Sequence, residues 1–191
     1  MIYLIGGAPR IGKSIIAKEL AQKIGAELVA TDDLEMPKND LPELSFSGDP
    51  AENILTSDER VSLQVSHSEL SEPNIEHIIS VAFNEQKNLV LEGIHLLPSA
   101  VAKYVQKYSV AAVFIGWRNA DAVFNGMALN NSPTDWLKDS AEMVRRQVAD
   151  FTLAFSEYIV TETEKYGLSY MERSEDFKGD IQKIILMVTK S

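Results

Sequence analysis

The 191-residue sequence contains no cysteine, so it has neither disulfides nor thiolate metal sites. This is typical of proteins kept in a reducing compartment. No apolar run approaches the roughly 20 residues needed to cross a bilayer. The N-terminus passes directly into "IYLIGG", without the basic leader of a signal peptide. We therefore expect a cytoplasmic protein with no membrane partner.

Positive charge is also scarce in this sequence. Lysine and arginine total 18 against 28 aspartates and glutamates, which gives a formal net charge of −10. Because a nucleic-acid backbone is bound through many lysines and arginines, we expect no nucleic-acid surface. An anionic ligand would have to be held by a local positive site. The composition leaves the oligomeric state open.

Short apolar runs alternate with helical patterns along the chain. Residues 14–24 place Ile16, Leu20 and Ile24 on one face of a helix that ends at Gly25. Continuous apolar strands separated by helices indicate a parallel sheet covered on both faces, so the predicted fold class is α/β. The predicted strands are 2–5, 27–30, 88–91, 110–115 and 168–171.

Residues 34–87 form a long connection between the second and third predicted strands. "PKNDLPELSFSGDP" is rich in loop-forming residues, whereas Ser57 and Ser71 each precede a helical pattern, the second with Pro73 near its start. We predict two helices here, within a helical substrate-binding insertion over 34–87. An elaborated crossover without a ligand role is the alternative.

The motif that carries chemistry lies between the first strand and the first helix. Gly7 to Ser14, "GAPRIGKS", matches G-x-x-x-x-G-K-[ST] in full. The glycines let backbone N–H groups turn inward toward phosphate oxygens, and the helix N-terminus adds partial positive charge. Lys13 would reach the β- and γ-phosphates, and the Ser14 hydroxyl would bind Mg²⁺. A purely structural turn is the alternative.

This motif predicts a phosphate-binding loop, with ATP and Mg²⁺ as the expected cofactors. The residues expected to bind the nucleotide are Gly7, Ala8, Pro9, Arg10, Ile11, Gly12, Lys13, Ser14 and Ile15.

With this motif the chain resembles the small P-loop kinases, a group that includes adenylate-, gluconate- and shikimate-kinase-like enzymes and the zeta-toxin-like kinases. The run "LVLEGIHLLPS" resembles the segment after the third strand of 2-phosphoglycerate kinases. The resemblance implies a three-layer P-loop NTPase fold with a five-stranded parallel sheet in the order 2-3-1-4-5. It further implies one kinase domain over 1–191 with a lid at 117–146, and transfer of the γ-phosphoryl group of ATP to a small hydroxyl acceptor.

Two adjacent aspartates follow the second strand, at the sheet edge where open α/β folds bind ligands. Similar kinases have an aspartate at this place. We expect Asp32 to act as the catalytic carboxylate that accepts the proton of the acceptor hydroxyl or holds a magnesium-bound water. Asp33 competes for that role and is otherwise an expected substrate contact. A helix cap is the alternative.

Glu92 ends the third strand and is followed by Gly93, as in zeta-like and phosphoglycerate-kinase-like chains. We expect Glu92 to contact Mg²⁺ through water or to orient the acceptor, because burying an unpaired carboxylate costs several kcal/mol. An exposed loop carboxylate is the alternative. Gly93 would let the backbone pass close to substrate. His95 is either a substrate contact or a packed histidine.

Small kinases of this group usually carry arginines on the helices of the lid. Arg118 lies at the end of the fourth strand, but the next arginines are Arg145 and Arg146. At about 100° per residue, Arg145 lies about 60° from Val148, a member of the apolar stripe. We therefore expect Arg145 to reach across the cleft and stabilise the transferring group. Solvated surface arginines are the alternative.

The expected acceptor follows from the scarcity of cations. Between residues 34 and 100 the fixed cations are Lys38, Arg60 and Lys87. Holding both a phosphate and a carboxylate calls for several arginines or lysines. We therefore predict a neutral or singly anionic acceptor, with Arg60 as its charged ligand.

Three classes of function share these features. The leading class is an ATP-dependent phosphotransferase for a small metabolite. A nucleotide-driven NTPase switch that binds a protein partner would use the same loop without an acceptor site. A toxin-like kinase would modify a nucleotide-sugar. The long insertion and the lid favour the two kinase classes.

Overall fold

The computed structural model describes residues 1–35, 37–49, 51–52, 55–129 and 135–189. The predicted insertion at 34–87 includes residues 36, 50, 53 and 54, and the predicted lid includes 130–134; these positions and 190–191 lie outside the described residues. The strands are β1 (Ile2–Gly7), β2 (Glu27–Ala30), β3 (Leu89–Gly93), β4 (Val110–Gly116) and β5 (Tyr170–Glu172). The helices are α1 (Lys13–Ile24), α2 (Ser57–Asn84), α3 (Pro98–Lys107), α4 (Ala120–Leu129), α5 (Glu142–Tyr166) and α6 (Phe177–Thr189).

The five strands form one parallel sheet in the order β2-β3-β1-β4-β5. This confirms the predicted α/β class and strand order. The central strands β1 and β3 are buried along their whole length, as their continuous apolar sequences predict. Helices α1 and α6 pack on one side of the sheet and α2, α3 and α5 on the other, which gives three layers.

Strand β5 begins two residues later than predicted. The preceding helix ends at Gly167, which has a left-handed φ of 65°, and the backbone N–H of Leu168 donates to the carbonyl of Thr163 at 2.9 Å. Leu168 therefore completes the helix cap and is not available to the strand.

Residues 57–84 form one helix, which corrects the prediction of two. Pro73 lies inside it, although an interior proline costs a helix about 3 kcal/mol or more. The helix continues because one face stays buried throughout: Gln64, Ser68 and Ser71 precede Ile75 and continue its stripe. The first half of that face is polar, so the sequence pattern did not reveal it.

The strand register brings the candidate site residues to one edge of the sheet. Ala30 of β2 and Ile5 of β1 both pair with Glu92 of β3. The β1–α1 loop and Asp32 follow directly after these strand ends, where open α/β sheets bind ligands. Within the described part of the chain, no helix has the length and apolar character needed to span a bilayer.

Candidate active site

The β1–α1 connection has the geometry of an anion-binding turn. Gly12 has a φ of 91°, and its carbonyl accepts a hydrogen bond from the backbone N–H of Ile15 at 3.1 Å, so helix α1 begins at Lys13. The backbone N–H of Ala8 donates to the carbonyl of Ile115 on β4 at 3.1 Å. The loop is therefore anchored to the sheet and ends at a helix N-terminus, an arrangement suited to phosphates.

Lys13 lies under this loop and not in solvent. Its side chain is buried, and Nζ donates to the carbonyl of Ala8 at 2.7 Å. Burial lowers the pKa of Lys13, while the negative charges of Glu92 and Asp32 act in the opposite direction. The amino group therefore lies within the loop, close to both carboxylates.

Glu92 is buried at the end of β3, beside the phosphate loop. Burial raises the pKa of Glu92, and both the charge of Lys13 and a hydrogen bond with Ser14 oppose that rise. Asp32 and Asp33 raise the pKa further by charge repulsion. Three carboxyl groups and one lysine thus meet at this point, and a bound cation would neutralise the excess negative charge.

The oxygens of Ser14 and Glu92 fit the requirements of Mg²⁺. This ion prefers oxygen ligands, keeps several waters, and is commonly held by one or two protein groups together with substrate phosphates. Among the described residues there is no group of three or more His, Cys, Asp or Glu that would form a dedicated cage. An ion held partly by phosphate and water needs no such cage.

Gly93 sets the position of the turn that carries Asp32. It has a φ of 152°, and a Cβ there would lie 1.7 Å from Oγ1 of Thr31, in the 3₁₀ turn Thr31–Asp33. A Cβ would prevent this approach, so glycine at position 93 lets the ends of β2 and β3 lie close together. The expected passage of the Gly93 backbone close to substrate stays a prediction.

Asp32 and Asp33 differ in their placement. Both are exposed, but Asp32 lines the large cavity over the phosphate loop, whereas Asp33 is absent from the described lining. The hydroxyl of Thr31 lies 3.5 Å from Oδ1 of Asp32, at the limit of a hydrogen bond. The placement favours Asp32 over Asp33 as the carboxylate that meets an acceptor.

That cavity has a volume of about 780 Å³. Its phosphate end is formed by the loop together with Asp32 and Glu92. Apolar side chains from the 34–56 connection, the end of β3, helices α4 and α5 and the lid also line the cavity, and we call this set the apolar wall. The apolar wall consists of Leu44, Phe46, Ile94, Met127, Trp136, Val148 and Phe151.

Arg173 and Phe177 form a separate planar surface beside the loop. The guanidinium of Arg173 stacks 4.0 Å from the ring centroid of Trp117 and 4.4 Å from that of Phe177. A Cβ at Gly12 would lie 2.5 Å from Cζ of Phe177, so this ring packs directly on the loop. Nε of Arg173 is buried without a hydrogen-bond partner in the described structure. This surface suits the planar base of a nucleotide.

Arg10 joins the phosphate loop to the lid. Its Nη1 lies 2.9 Å from Oδ2 of Asp135, whose side chain is 4% exposed, and its guanidinium lies 5.4 Å from the ring centroid of Trp136. A partly buried ion pair of this kind is less screened than a surface pair. The lid residues 135–136 therefore rest against the loop.

The two arginines of α5 do not belong to the described cavity lining. Nη1 of Arg145 donates to the carbonyl of Ser140, and Nη1 of Arg146 pairs with Asp121 on α4 at 2.6 Å. In this structure the Arg145 side chain does not reach the described cavity lining, and its expected contact with the transferring group stays a prediction. It lies in the first turn of α5 and folds back toward the residues before the helix, while Val148 faces the cavity.

Arg60 is likewise placed differently from the prediction that it binds the acceptor. It is buried, with Nε donating to the carbonyl of Ser45 at 3.2 Å and Nη1 to that of Leu55 at 2.6 Å. Its guanidinium lies 4.9 Å from the ring centroid of Phe46. Arg60 is outside the described cavity lining and contacts Phe46, a member of the apolar wall.

His95 also lies outside the described lining. Its Nδ1 is 3.3 Å from Nε2 of Gln64 and 3.2 Å from Oγ of Ser68. Burial lowers the pKa of His95, so the ring is neutral at pH 7. These contacts are those of a packed histidine, and substrate contact stays a prediction.

The sequence interpretation missed Arg173, Phe177, Phe46 and Trp136. Arg173 directly follows β5, so its place at the carboxyl edge of the sheet was a usable signal. Phe46 and Trp136 had no local signal, because their partners in the cavity come from distant parts of the chain.

No protein-family model matches the chain. Among curated proteins, it is 25% identical over 206 residues to a 2-phosphoglycerate kinase of Methanothermobacter thermautotrophicus, with 100% of this chain and 66% of that protein covered. It is 24% identical over 205 residues to a 2-phosphoglycerate kinase of Methanocaldococcus jannaschii, with 100% of this chain and 63% of that protein covered. The chain thus spans a little under two thirds of the length of these relatives.

Solved structures show the same fold. Shikimate kinase from Bacteroides thetaiotaomicron superimposes with a TM-score of 0.51 at 13% identity, covering 100% of this chain and 97% of that one. A gluconokinase from Sinorhizobium meliloti gives a TM-score of 0.52 at 14% identity, covering 99% and 91%. At these identities the match concerns the fold.

Proposed function

This chain is a member of the small P-loop kinase family, and from that premise we propose that it transfers the γ-phosphoryl group of ATP to a hydroxyl group of a small-molecule acceptor. One observation carries the proposal: Lys13, Asp32 and Glu92 meet at one end of a cavity that extends well beyond the phosphate loop. A loop alone would serve any nucleotide-binding protein. A second substrate needs the additional room and a carboxylate at its border.

The nucleotide is proposed to lie across the phosphate loop. Its base would lie against the planar surface of Arg173 and Phe177, since that surface touches the loop at Gly12. Lys13 would contact the β- and γ-phosphates, and their negative charge would stabilise its buried ammonium group. Backbone N–H groups at the start of α1 would complete the phosphate site.

The transfer step is proposed to use Asp32. The acceptor hydroxyl oxygen forms a bond to the γ-phosphorus, the bond from that phosphorus to the β–γ bridging oxygen breaks, and the hydroxyl proton passes to the Asp32 carboxylate. ADP and the phosphorylated acceptor are the products. Lys13 offsets the negative charge that develops on the leaving oxygen. Mg²⁺, held by Ser14 and through Glu92, would neutralise phosphate charge during this step.

The acceptor is proposed to be neutral or singly anionic, although the curated relatives carry the name 2-phosphoglycerate kinase. The cations in the described cavity lining are Arg10, Lys13 and Arg173. Arg10 is paired with Asp135, Lys13 would serve ATP, and Arg173 is stacked at the base end. Little positive charge is left for an acceptor with both a phosphate and a carboxylate.

Acceptor-dependent ADP release tests the proposed function. The full chain is incubated with ATP and Mg²⁺, with and without each member of a panel of hydroxyl compounds. A kinase gives saturable, acceptor-stimulated release. Release that no acceptor changes would instead indicate an NTPase switch. Release stimulated by a nucleotide-sugar included in the panel, and by no other member, would indicate the toxin-like activity.

A further inference from the structure

The apolar wall brings seven apolar side chains from a loop, a strand end, two helices and the lid to one cavity. The indole N–H of Trp136 is the one conventional hydrogen-bonding group among these seven side chains. Polyols and sugar acids need hydrogen-bonding partners around several hydroxyl groups, and buried polar groups without partners cost binding energy. The apolar wall is therefore poorly suited to them, whereas the phosphate end carries polar and charged groups.

The aromatic members of the wall are held in place by one another. The ring centroid of Phe46 lies 5.8 Å from that of Phe151 and 6.2 Å from that of Trp136. These separations are within the range in which aromatic pairs attract. The rings thus form a connected surface instead of three separate side chains.

The loop that carries Phe46 is fixed from outside the cavity. Arg60 holds the carbonyl of Ser45, and Nε2 of Gln147 on α5 donates to the carbonyl of Ser47 at 2.8 Å. The guanidinium of Arg60 also lies 4.9 Å from the centroid of the Phe46 ring. Contacts on both neighbouring residues give the ring a defined position, as a recognition surface requires.

Trp136 is 60% exposed although it is the largest side chain of the wall. Its ring contacts both Phe46, at 6.2 Å between ring centroids, and the Arg10 guanidinium, at 5.4 Å from the centroid. A large exposed ring that is held in place beside a cavity can bury more apolar area when a flat molecule binds against it.

Negative charge at the phosphate end also favours an uncharged acceptor. Asp32 and Glu92 border the region between the loop and the wall. Their negative charges disfavour an acceptor that brings a second anionic group close to its reacting hydroxyl. An uncharged acceptor avoids that repulsion.

Resting on the proposed kinase function, we propose that the acceptor is an uncharged hydroxyl compound with a planar ring, which packs against Phe46, Phe151 and Trp136 and presents its hydroxyl to Asp32. Aryl alcohols and nucleosides share this chemistry. They differ at the ring edge, which is apolar in the former and polar in the latter. The experiment therefore includes both.

Binding is measured by calorimetry on the full chain, and turnover by ADP release with ATP and Mg²⁺. The probes are 2-phenylethanol, 2′-deoxyadenosine, gluconate and 2-phosphoglycerate. At least one of the two ring compounds should bind and stimulate ADP release, with a KM at least about tenfold below that of gluconate or 2-phosphoglycerate. The better of the two identifies the ring class.

Matched variants test whether the preference for a ring compound depends on the apolar wall. Phe46→Ala should raise the KM for the ring compound about 10- to 100-fold. Phe83→Ala is the control, because Phe83 is an exposed ring on α2 that pairs with Tyr108 outside the described cavity lining. Trp136→Ala serves if Phe46→Ala fails to fold, since an exposed side chain contributes less to the core.

The outcomes separate the two proposals. Binding of a ring compound that depends on Phe46 or Trp136, without any phosphoryl transfer, would support the ring site and overturn the kinase function. Saturable turnover with gluconate or 2-phosphoglycerate and no binding of either ring compound would overturn the ring site and leave the kinase function standing. Ring-compound binding that both wall variants retain would also overturn the ring site.

Discussion

The phosphate end and the apolar wall of the cavity are built in different ways. The phosphate end is made from residues at the ends of neighbouring parallel strands, where the sheet register fixes their spacing. The apolar wall is made from side chains of separate elements, joined by contacts such as that of Gln147 with Ser47, which are 100 residues apart. Backbone pairing in the sheet thus positions the phosphate end, and tertiary packing of side chains positions the apolar wall.

This difference has a functional consequence. A phosphate end that is fixed by the sheet can stay constant while the wall changes, because the wall residues make no ladder hydrogen bonds. The largest effects of substitution are expected at the phosphate end, because the reacting groups lie there.

Lys13→Met should lower turnover about 10³-fold or more, because it removes the cation that meets the transferring phosphate. Lys18→Met on the exposed face of α1 is the matched control. Steady-state kinetics measures the loss of turnover, and urea denaturation of both variants checks that Lys13→Met remains folded. Near-normal turnover in Lys13→Met would remove the basis of the kinase proposal.

Asp32→Asn should lower kcat about 10²- to 10⁴-fold while leaving the KM for ATP little changed, because the lost carboxylate acts on the acceptor hydroxyl. Asp33→Asn is the control, with the same substitution one residue further from the cavity. Comparison of kcat and KM for both substrates measures the difference. Equal losses in the two variants would contradict the distinction made between these aspartates.

Gly93→Ala should lower the free energy of unfolding by about 2–4 kcal/mol, because a Cβ meets Thr31 Oγ1 at a left-handed φ. Gly126→Ala is the control, since the nearest atom to its Cβ would be 3.9 Å away. Thr31→Ala combined with Gly93→Ala should recover part of the loss. Urea denaturation gives all of these values, and a neutral Gly93→Ala would show that the two strand ends are not held as described.

Glu92 should give the smallest effect, a pH-dependent component of stability. Because its folded-state pKa is raised, the folded state binds the extra proton, and this component of stability decreases as pH rises from about 4.5 through the raised pKa. Subtracting the pH profile of Glu92→Gln from that of the wild type isolates it.

In Lys13→Met the decrease should extend to higher pH, since the charge of Lys13 lowers the pKa of Glu92. Wild-type and Glu92→Gln profiles of the same shape would be inconsistent with a raised pKa.

The same contrast explains what the sequence could predict. The strand order was predicted from the family resemblance. The phosphate loop and the acidic residues at the strand ends were predicted directly from short sequence patterns. The single helix α2 was missed because the first half of its buried face is polar. Arg60 was assigned to the cavity from its charge and Arg145 from its angular position on the helix. Neither charge nor angular position determines which way a long side chain folds. Phe46 and Trp136 become neighbours only through tertiary packing.

Transfer of label from [γ-³²P]ATP tests the central claim most directly. The full chain is incubated with labelled ATP, Mg²⁺ and the acceptor that best stimulates ADP release, and both products are quantified. We expect one phosphorylated acceptor for each ADP formed in the wild type, and neither product above background in Lys13→Met. Label released only as inorganic phosphate, at a rate that the acceptor does not change, would contradict the account.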